Sequence, residues 1–297
     1  VVLPFVHCGF AVAAGTSGCV PPQFDADAAF SHLIAQLGHG PRTPESPGIA
    51  QTRKHIFTTL GACGFSTSTQ PFTAIAPVIG RMIHAENIIG VHPPGFRARF
   101  VLSAHYDTRP VADMDPDPSR RGMPIPGAND GASGVAVLLE LARIFGACPP
   151  PSSVALVFFD AEDLGTNREP TGFCLGSSHM AANLPPALEE FEAGINLDMV
   201  GDRNLVLPME AISLAHAPEL TQALWGIGSR LHPEVFVKRQ GPSVYDDHVP
   251  FLEKRKKFID VIDFDYPSWH TTEDSADKCS PRSLKAVGDA ILQFMYQ

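Results

Sequence analysis

The chain has 297 residues, enough for one large domain or two small ones. Hydrophobic residues make up 44% and charged residues 18%, too apolar a balance for a disordered chain. Against 32 acidic residues stand 22 basic ones, and the resulting formal net charge of −10 argues against nucleic acid and against docking on anionic lipid. No apolar run reaches the length of about eighteen residues that a membrane span needs, and the 28 prolines predict long ordered loops.

Residues 1–19, VVLPFVHCGFAVAAGTSGC, carry no acid and no Lys or Arg. They read as the later part of an export signal whose basic start is missing, or else as a plain disordered end. TSGC at 16–19 resembles a lipoprotein cleavage box with Cys19 as the lipidated residue, although Thr16 stands where such a box usually has Leu. Segment 1–23 is therefore set apart from a single α/β domain over 24–297. Six cysteines, at 8, 19, 63, 148, 174 and 279, form no CxxC pair and no zinc-finger spacing. At least half read as buried free thiols. One or two disulfides are compatible with export, their connectivity left open.

Apolar residues at helical spacing behind an acidic start predict a helix over 24–37, and a second follows at 51–62. Residues 64–76 read as β, and 87–91 and 99–104 as strands. A Pro- and Asp-rich loop covers 108–127. Over 133–145, Val135, Leu138, Leu139, Ala142 and Phe145 share one helical face. The continuous apolar run 154–159, VALVFF, is that of a strand buried on both faces. Shorter apolar runs lie at 194–197 and 258–264, and further helices at 221–231 and 283–295. Strands that alternate with helices, and are apolar throughout, predict a three-layer α/β/α sandwich with a mostly parallel central sheet.

The chemistry follows the strands. After 99–104 come His105, Tyr106 and Asp107; Asn129, Asp130 and Gly131 open the helix at 133; Glu162 and Asp163 follow VALVFF; Asp198 follows GINL; and Trp269-His270 lies beyond the last run. Ligands of open α/β sheets bind at the carboxyl ends of the strands. Two histidines and several carboxylates there suit one Zn²⁺, or two sharing a bridging carboxylate, and a neighbouring carboxylate can act as general base. Each residue also has an ordinary reading: Asp130 as a helix N-cap, Asp107 as the residue that orients His105.

SAHYDTRP, PIPGANDGASGVAVLLELAR, LVFFDAEDLG, NLDMVGD, DDHVPFL and DYPSWHTTEDSADKCSPRSL, in that order, resemble the motifs of the zinc-dependent aminopeptidase superfamily. They resemble more closely its glutaminyl cyclase branch, the bacterial enzymes of animal type, and the likeness covers about 24–297. It implies a glutaminyl-peptide cyclotransferase that turns N-terminal glutaminyl peptides into pyroglutamyl peptides and releases ammonia. It further implies Asp130, Asp163 and His270 as ligands of a single Zn²⁺ and Glu162 as general acid/base. Asp198 and Asp247 become carboxylates hydrogen-bonded around the reacting centre, and Trp269 the indole beside the substrate. With the N-terminal stretch, this points to an exported monomer, periplasmic or anchored through Cys19, acting on peptides or proteins with N-terminal Gln.

The alternative is a two-zinc aminopeptidase. There His105, Asp130 and Asp198 match one metal site, Asp130, Asp163 and His270 the other, and Glu162 activates a bridging water. Every ligand of both sites is present, so ligand identity does not separate the two. The Trp269-His270 pair and the DDHVPFL segment at 246–252 favour cyclisation. Each also has an ordinary reading, packing for Trp269 and a turn for Asp247. A non-catalytic binding domain on the same scaffold is disfavoured, because such relatives usually lose ligands. The chain departs from its relatives at 254–257, where Lys-Arg-Lys-Lys replaces a Gly/Pro turn; this reads as a solvated loop, or as a basic rim beside the pocket selecting acidic peptides. Asp113, Asp115 and Asp117 lack the Gly and terminal Glu of a calcium loop and read as part of an ordered rim.

Overall fold

The computed structural model describes residues 19–166 and 172–297, so the expectations for 1–18 lie outside the described residues. The first helix, α1 (Ala26–Gly38), starts where the Asp25 side chain accepts the amides of Asp27 and Ala28. Ser46 caps α2 (Pro47–Ala62) through the Ile49 amide, with Pro47 in the first turn. That cap starts the helix four residues before the apolar pattern does.

Strands β1 (Ser66–Ala76) and β2 (Arg81–His92) form a long antiparallel hairpin. The pattern at 87–91 marks only the second half of β2, because the first half alternates buried apolar residues with exposed ones and pairs with β1 alone. The remaining strands are β3 (Phe100–His105), β4 (Val154–Phe159), β5 (Ala193–Asp198) and β8 (Phe258–Ile262), in the order β1-β2-β4-β3-β5-β8. β4, β3, β5 and β8 run parallel, so all four deliver their carboxyl ends to one edge.

Alternate residues of these strands face opposite layers. Leu102, Leu156, Phe158, Ile195 and Val261 join a core shared with α1, α3 (Ala132–Ala147), α6 (Pro218–Leu231) and α8 (Pro281–Met295). Val101, Ala155, Val157 and Phe159 join a second core with Met180 of α4 (Leu175–Ala182) and Phe251 of α7 (Val249–Glu253). The three-layer sandwich with a mostly parallel sheet is thus the observed fold. A two-stranded parallel sheet of β6 (Leu207–Met209) and β7 (Phe236–Gln240), with α5 (Ala211–His216), escaped the sequence reading because its strands are short and only half apolar.

Cys19 and Cys148 form a disulfide, which ties the start of the described chain to the end of α3. The sulfur that a lipid anchor would require is therefore bonded to another cysteine. Cys63, Cys174 and Cys279 are free thiols, the last two buried. No helix among the described residues is long and apolar enough to cross a membrane.

The basic run 254–257 corrects one of its two readings. It immediately precedes β8, at the amino ends of the parallel strands and away from the edge that carries the acidic residues. Lys256 Nζ donates to the Glu189 carbonyl at 2.6 Å and lies 4.9 Å from the centre of the Phe191 ring. It is not a rim of the pocket. The preceding loop is held from elsewhere: Glu210 accepts the Val244 amide and pairs with His248 at 3.3 Å.

Candidate active site

Among the described residues, four outside glycine adopt left-handed backbone at this edge: Ala161 (φ 60°), Cys174 (φ 55°), Met199 (φ 46°) and His270 (φ 54°). Such positions cost free energy and persist only where the surrounding structure imposes them. The turn at Ala161, just past β4, sends Glu162 and Asp163 across the sheet edge, and Met199 does the same after Asp198. Gly131 is needed for another reason. A Cβ there would lie 2.3 Å from His105 Nε2, so only glycine lets the Asp130 turn pack on that ring.

Two donor sets share Asp130. Ligand atoms of Asp130, Asp163 and His270 all lie within 4.8 Å of one another, as do those of His105, Asp130 and Asp198. His270 Nε2 is 3.2 Å from Asp163 Oδ1 and 3.7 Å from Asp130 Oδ2. His105 Nε2 is 3.1 Å from Asp130 Oδ1 and 3.2 Å from Asp198 Oδ1. The buried oxygens Asp130 Oδ2 and Asp163 Oδ2 have no hydrogen-bond partner. Orphaned buried carboxylate oxygens are costly unless a cation or donor completes them, and two carboxylates with one imidazole are a donor set that Zn²⁺ takes. The residues fit a metal ion. Asp130 is not the N-cap of α3, a place taken by Gly131 with no side-chain bond, so its carboxylate is left for the site.

A further shell orients these donors. Asp107 Oδ1 lies 3.3 Å from His105 Nδ1, and the Asp107 carboxylate accepts the amides of Glu162 (3.1 Å) and Asp163 (3.3 Å). Arg109, buried, donates to Asp163 Oδ1 at 2.9 Å and to Asp113 at 2.7 and 2.8 Å. Asp274 accepts the amides of Asn129 and Asp130; burial, then the nearby Asp130 charge, push its carboxyl up to about 7. Burial alone would lower the two imidazoles. Bonds to Asp107, Asp130 and Asp198 instead hold His105 well above its ordinary value, and Asp163 and Asp113 raise His270 to about 9. A metal ion binding there displaces those protons.

Glu162 sits beside the donor sets, and burial followed by the Asp163 charge pushes its carboxyl well above the usual range. Asp163 moves the other way: His270 and Arg109 outweigh burial and lower it. The two neighbouring carboxylates are thus driven apart, the pattern of an acid/base next to a permanent anion. Of the pair 246–247, it is Asp246 that lines the cavity, while Asp247 is fully buried behind it. Burial and the Asp198 charge raise the Asp246 carboxyl to about 6. The expectation for Asp247 therefore shifts by one residue, since a short loop has no periodicity to tell which of two adjacent aspartates faces inward.

The cavity measures about 250 Å³ and is lined by Asp130, Glu162, Asp163, Asp198, Asp246 and His270 on its polar side. Phe173, Val244, Tyr245, Ile262, Phe264 and Trp269 form an apolar side. The Trp269 indole stacks on the His270 ring at 3.8 Å between centres. The 108–127 loop is an ordered rim: Asp115 accepts the amide and hydroxyl of Thr272, and Arg120 pairs with Glu273. Arg109, Asp113, Cys174 and Asp246 were not singled out as site residues. Only Arg109 and Asp246 fall inside quoted motifs, and nothing in the sequence tells which acid of a Pro-Asp-rich loop reaches a histidine far along the chain.

Residues 87–295 match the model of peptidase family M28. The chain belongs to this family. A glutaminyl-peptide cyclotransferase-like protein of Bos taurus is 28% identical over 287 residues, 86% of this chain and 71% of the relative. The solved glutaminyl cyclase of Bacteroides thetaiotaomicron, bound to N-acetylhistamine, superposes with a TM-score of 0.88 at 36% identity, covering 94% of this chain and 99% of that one. A Zn-dependent exopeptidase of Parabacteroides distasonis superposes with a TM-score of 0.89 at 33% identity, over 94% of this chain and 100% of that one. The M28 assignment and these neighbours agree with the donor sets in pointing to zinc.

Proposed function

We propose that this M28 protein is a glutaminyl-peptide cyclotransferase: it closes N-terminal glutamine onto its own α-amine, yielding a pyroglutamyl peptide and ammonia. The observation that carries this reading is the small cavity in which Glu162 meets Asp246 and the Asp130–Asp163–His270 donor set, under the Trp269 indole. Similarity to solved glutaminyl cyclases over nearly the whole chain supports it.

In this reading Asp130, Asp163 and His270 hold one zinc ion, which supplies a Lewis acid for the γ-carboxamide oxygen. The apolar wall of Phe264, Ile262 and Trp269 receives the methylene chain of glutamine and excludes water, which would otherwise hydrolyse the amide. The carboxylate form of Glu162 takes a proton from the α-amine as that nitrogen attacks the γ-carbon. It returns the proton to the departing amide nitrogen, and ammonia leaves. Burial, then the charges of Asp163, Asp246 and Asp247, keep Glu162 basic enough for the first transfer, because neighbouring carboxylates do not all ionise cheaply.

The Cys19–Cys148 disulfide supports an oxidising compartment and thus export. It competes with lipidation for one sulfur, and we favour the disulfide. The second reading, a two-zinc aminopeptidase, draws on the intact His105–Asp130–Asp198 set. A paired assay separates them: ammonia release from a Gln-peptide against hydrolysis of a Leu-anilide by the same zinc-loaded sample. Activity on the glutaminyl peptide is expected, and activity on the anilide alone would reverse the reading.

A further inference from the structure

A third donor set lies behind Glu162. The Cys174 sulfur and one carboxylate oxygen each of Glu162 and Asp246 lie within 4.8 Å of one another, with Cys174 Sγ 3.3 Å from Glu162 Oε1. It shares no residue with the two sets built on Asp130. Backbone contacts place it: the Cys174 amide donates to the Glu162 carbonyl at 2.7 Å, and the left-handed backbone of Cys174 aims the side chain from the start of α4. Cys174 itself is fully buried, but Glu162 and Asp246 line the cavity, so an ion reaches the set from the cavity side.

We propose that Cys174, Glu162 and Asp246 form an inhibitory site for a thiophilic divalent cation, Zn²⁺ in excess or Cd²⁺. A thiolate with two carboxylates is a mixed soft and hard set, suited to these ions and not to Mg²⁺ or Ca²⁺. On binding, the S–H bond of Cys174 is replaced by a metal–sulfur bond and its proton leaves to solvent. Any proton on Glu162 or Asp246 leaves in the same way. The lone pairs through which Glu162 would accept the substrate's amine proton are then engaged. Occupancy of the site rests on the geometry alone, whereas its inhibitory effect rests on the role of Glu162 in the proposed cyclisation.

The test is a titration of the zinc-loaded protein with Cd²⁺. It reads the ultraviolet thiolate-to-cadmium charge-transfer band and, in parallel, the rate of ammonia release. The site predicts that the band rises as the rate falls over one concentration range, and that a Cys63→Ser background changes neither. Cys174→Ser should lose the band and, relative to its own cadmium-free rate, keep its activity across that range. Asp246→Asn should weaken cadmium binding by more than about tenfold, and it carries the test if the serine variant does not fold. Absence of the band at saturation overturns the proposal, as does inhibition of Cys174→Ser at wild-type concentrations. A band that titrates normally in a protein without cyclase activity leaves the site standing and removes the functional reading instead.

Discussion

Asp113 Oδ1 lies 3.6 Å from His270 Nδ1, while Nε2 of the same ring faces Asp163 and Asp130. The loop at 108–127 thereby reaches into the donor set and fixes which ring nitrogen is left for a metal. Carboxylates in this position orient the imidazole and raise its basicity, and their loss typically costs about 10–100-fold in metal affinity. Asp113→Asn should therefore weaken zinc by about that factor, measured by competition with a chromogenic chelator. Unchanged affinity would mean that the ring is held by Trp269 stacking alone.

Arg109 ties this loop to Asp163, and it is almost fully buried between the two carboxylates. Removing one partner of a buried pair leaves the other uncompensated and costs about 3–5 kcal/mol. Arg109→Met should show most of that loss after zinc removal. The loss should be smaller in the zinc-loaded protein, where the metal takes over the charge of Asp163. Chemical denaturation of both forms measures the difference, and equal losses would contradict this account.

Glu162→Gln keeps the volume and one acceptor of the side chain but cannot take a proton. The variant should bind zinc as the wild type does and lose more than about a hundredfold in turnover, the scale of a general acid/base. Ammonia release and metal content on the same sample give both numbers. Substantial turnover with zinc in place would remove Glu162 from the reaction.

The edge of the sheet was legible in the sequence because four apolar runs each end in a polar residue able to bind metal or move protons: His105, Glu162 with Asp163, Asp198 and, after a loop, His270. What the sequence hid depends on chain reversals. The first half of β2 carries no apolar run because it pairs with β1 alone and buries only alternate residues, Ile83 and Ala85. The choice of Asp246 over Asp247 rests on how Glu210 anchors the preceding loop. Cys174 reaches Glu162 because Cys174 is itself left-handed and Glu162 follows the left-handed Ala161. The basic run at 254–257 misled for a related reason: nearness in sequence to DDHVPFL does not place it at the same end of the sheet, since α7 carries the chain to the opposite edge before β8 begins.

Gly131 offers a test of packing at the centre. A methyl group added here would run into Nε2, Cδ2 and Cε1 of the His105 ring, all within 2.5 Å. That ring is held by Asp107, Asp130 and Asp198 and has little freedom to swing aside. Gly131→Ala should destabilise the fold by about 1–3 kcal/mol, the usual cost of overpacking, and should reduce metal binding by displacing His105 and Asp130. A thermal melt with and without zinc reads both effects, and a variant with wild-type melting in each state would show that the turn can move freely.

Away from the site, His32 and His55 predict the acid limit of stability. His32 Nδ1 and His55 Nε2 are 3.0 Å apart between α1 and α2, with His39 and Arg42 close by. Burial, then the His55 charge, lower His32 to about 4, and burial lowers His55 as well. Both rings are thus neutral in the folded protein at pH values where the unfolded chain already binds protons. The contribution to stability is complete above the ordinary histidine value of about 6.5 and is lost as pH falls from there toward about 4. For His32, allowing for its exposed part, it amounts to on the order of 2 kcal/mol. Denaturation midpoints should therefore fall between about pH 7 and about pH 5, and His32→Gln, which retains a hydrogen-bonding group without the titration, should flatten that decline. An unchanged slope in the variant would place the acid sensitivity among the site carboxylates instead.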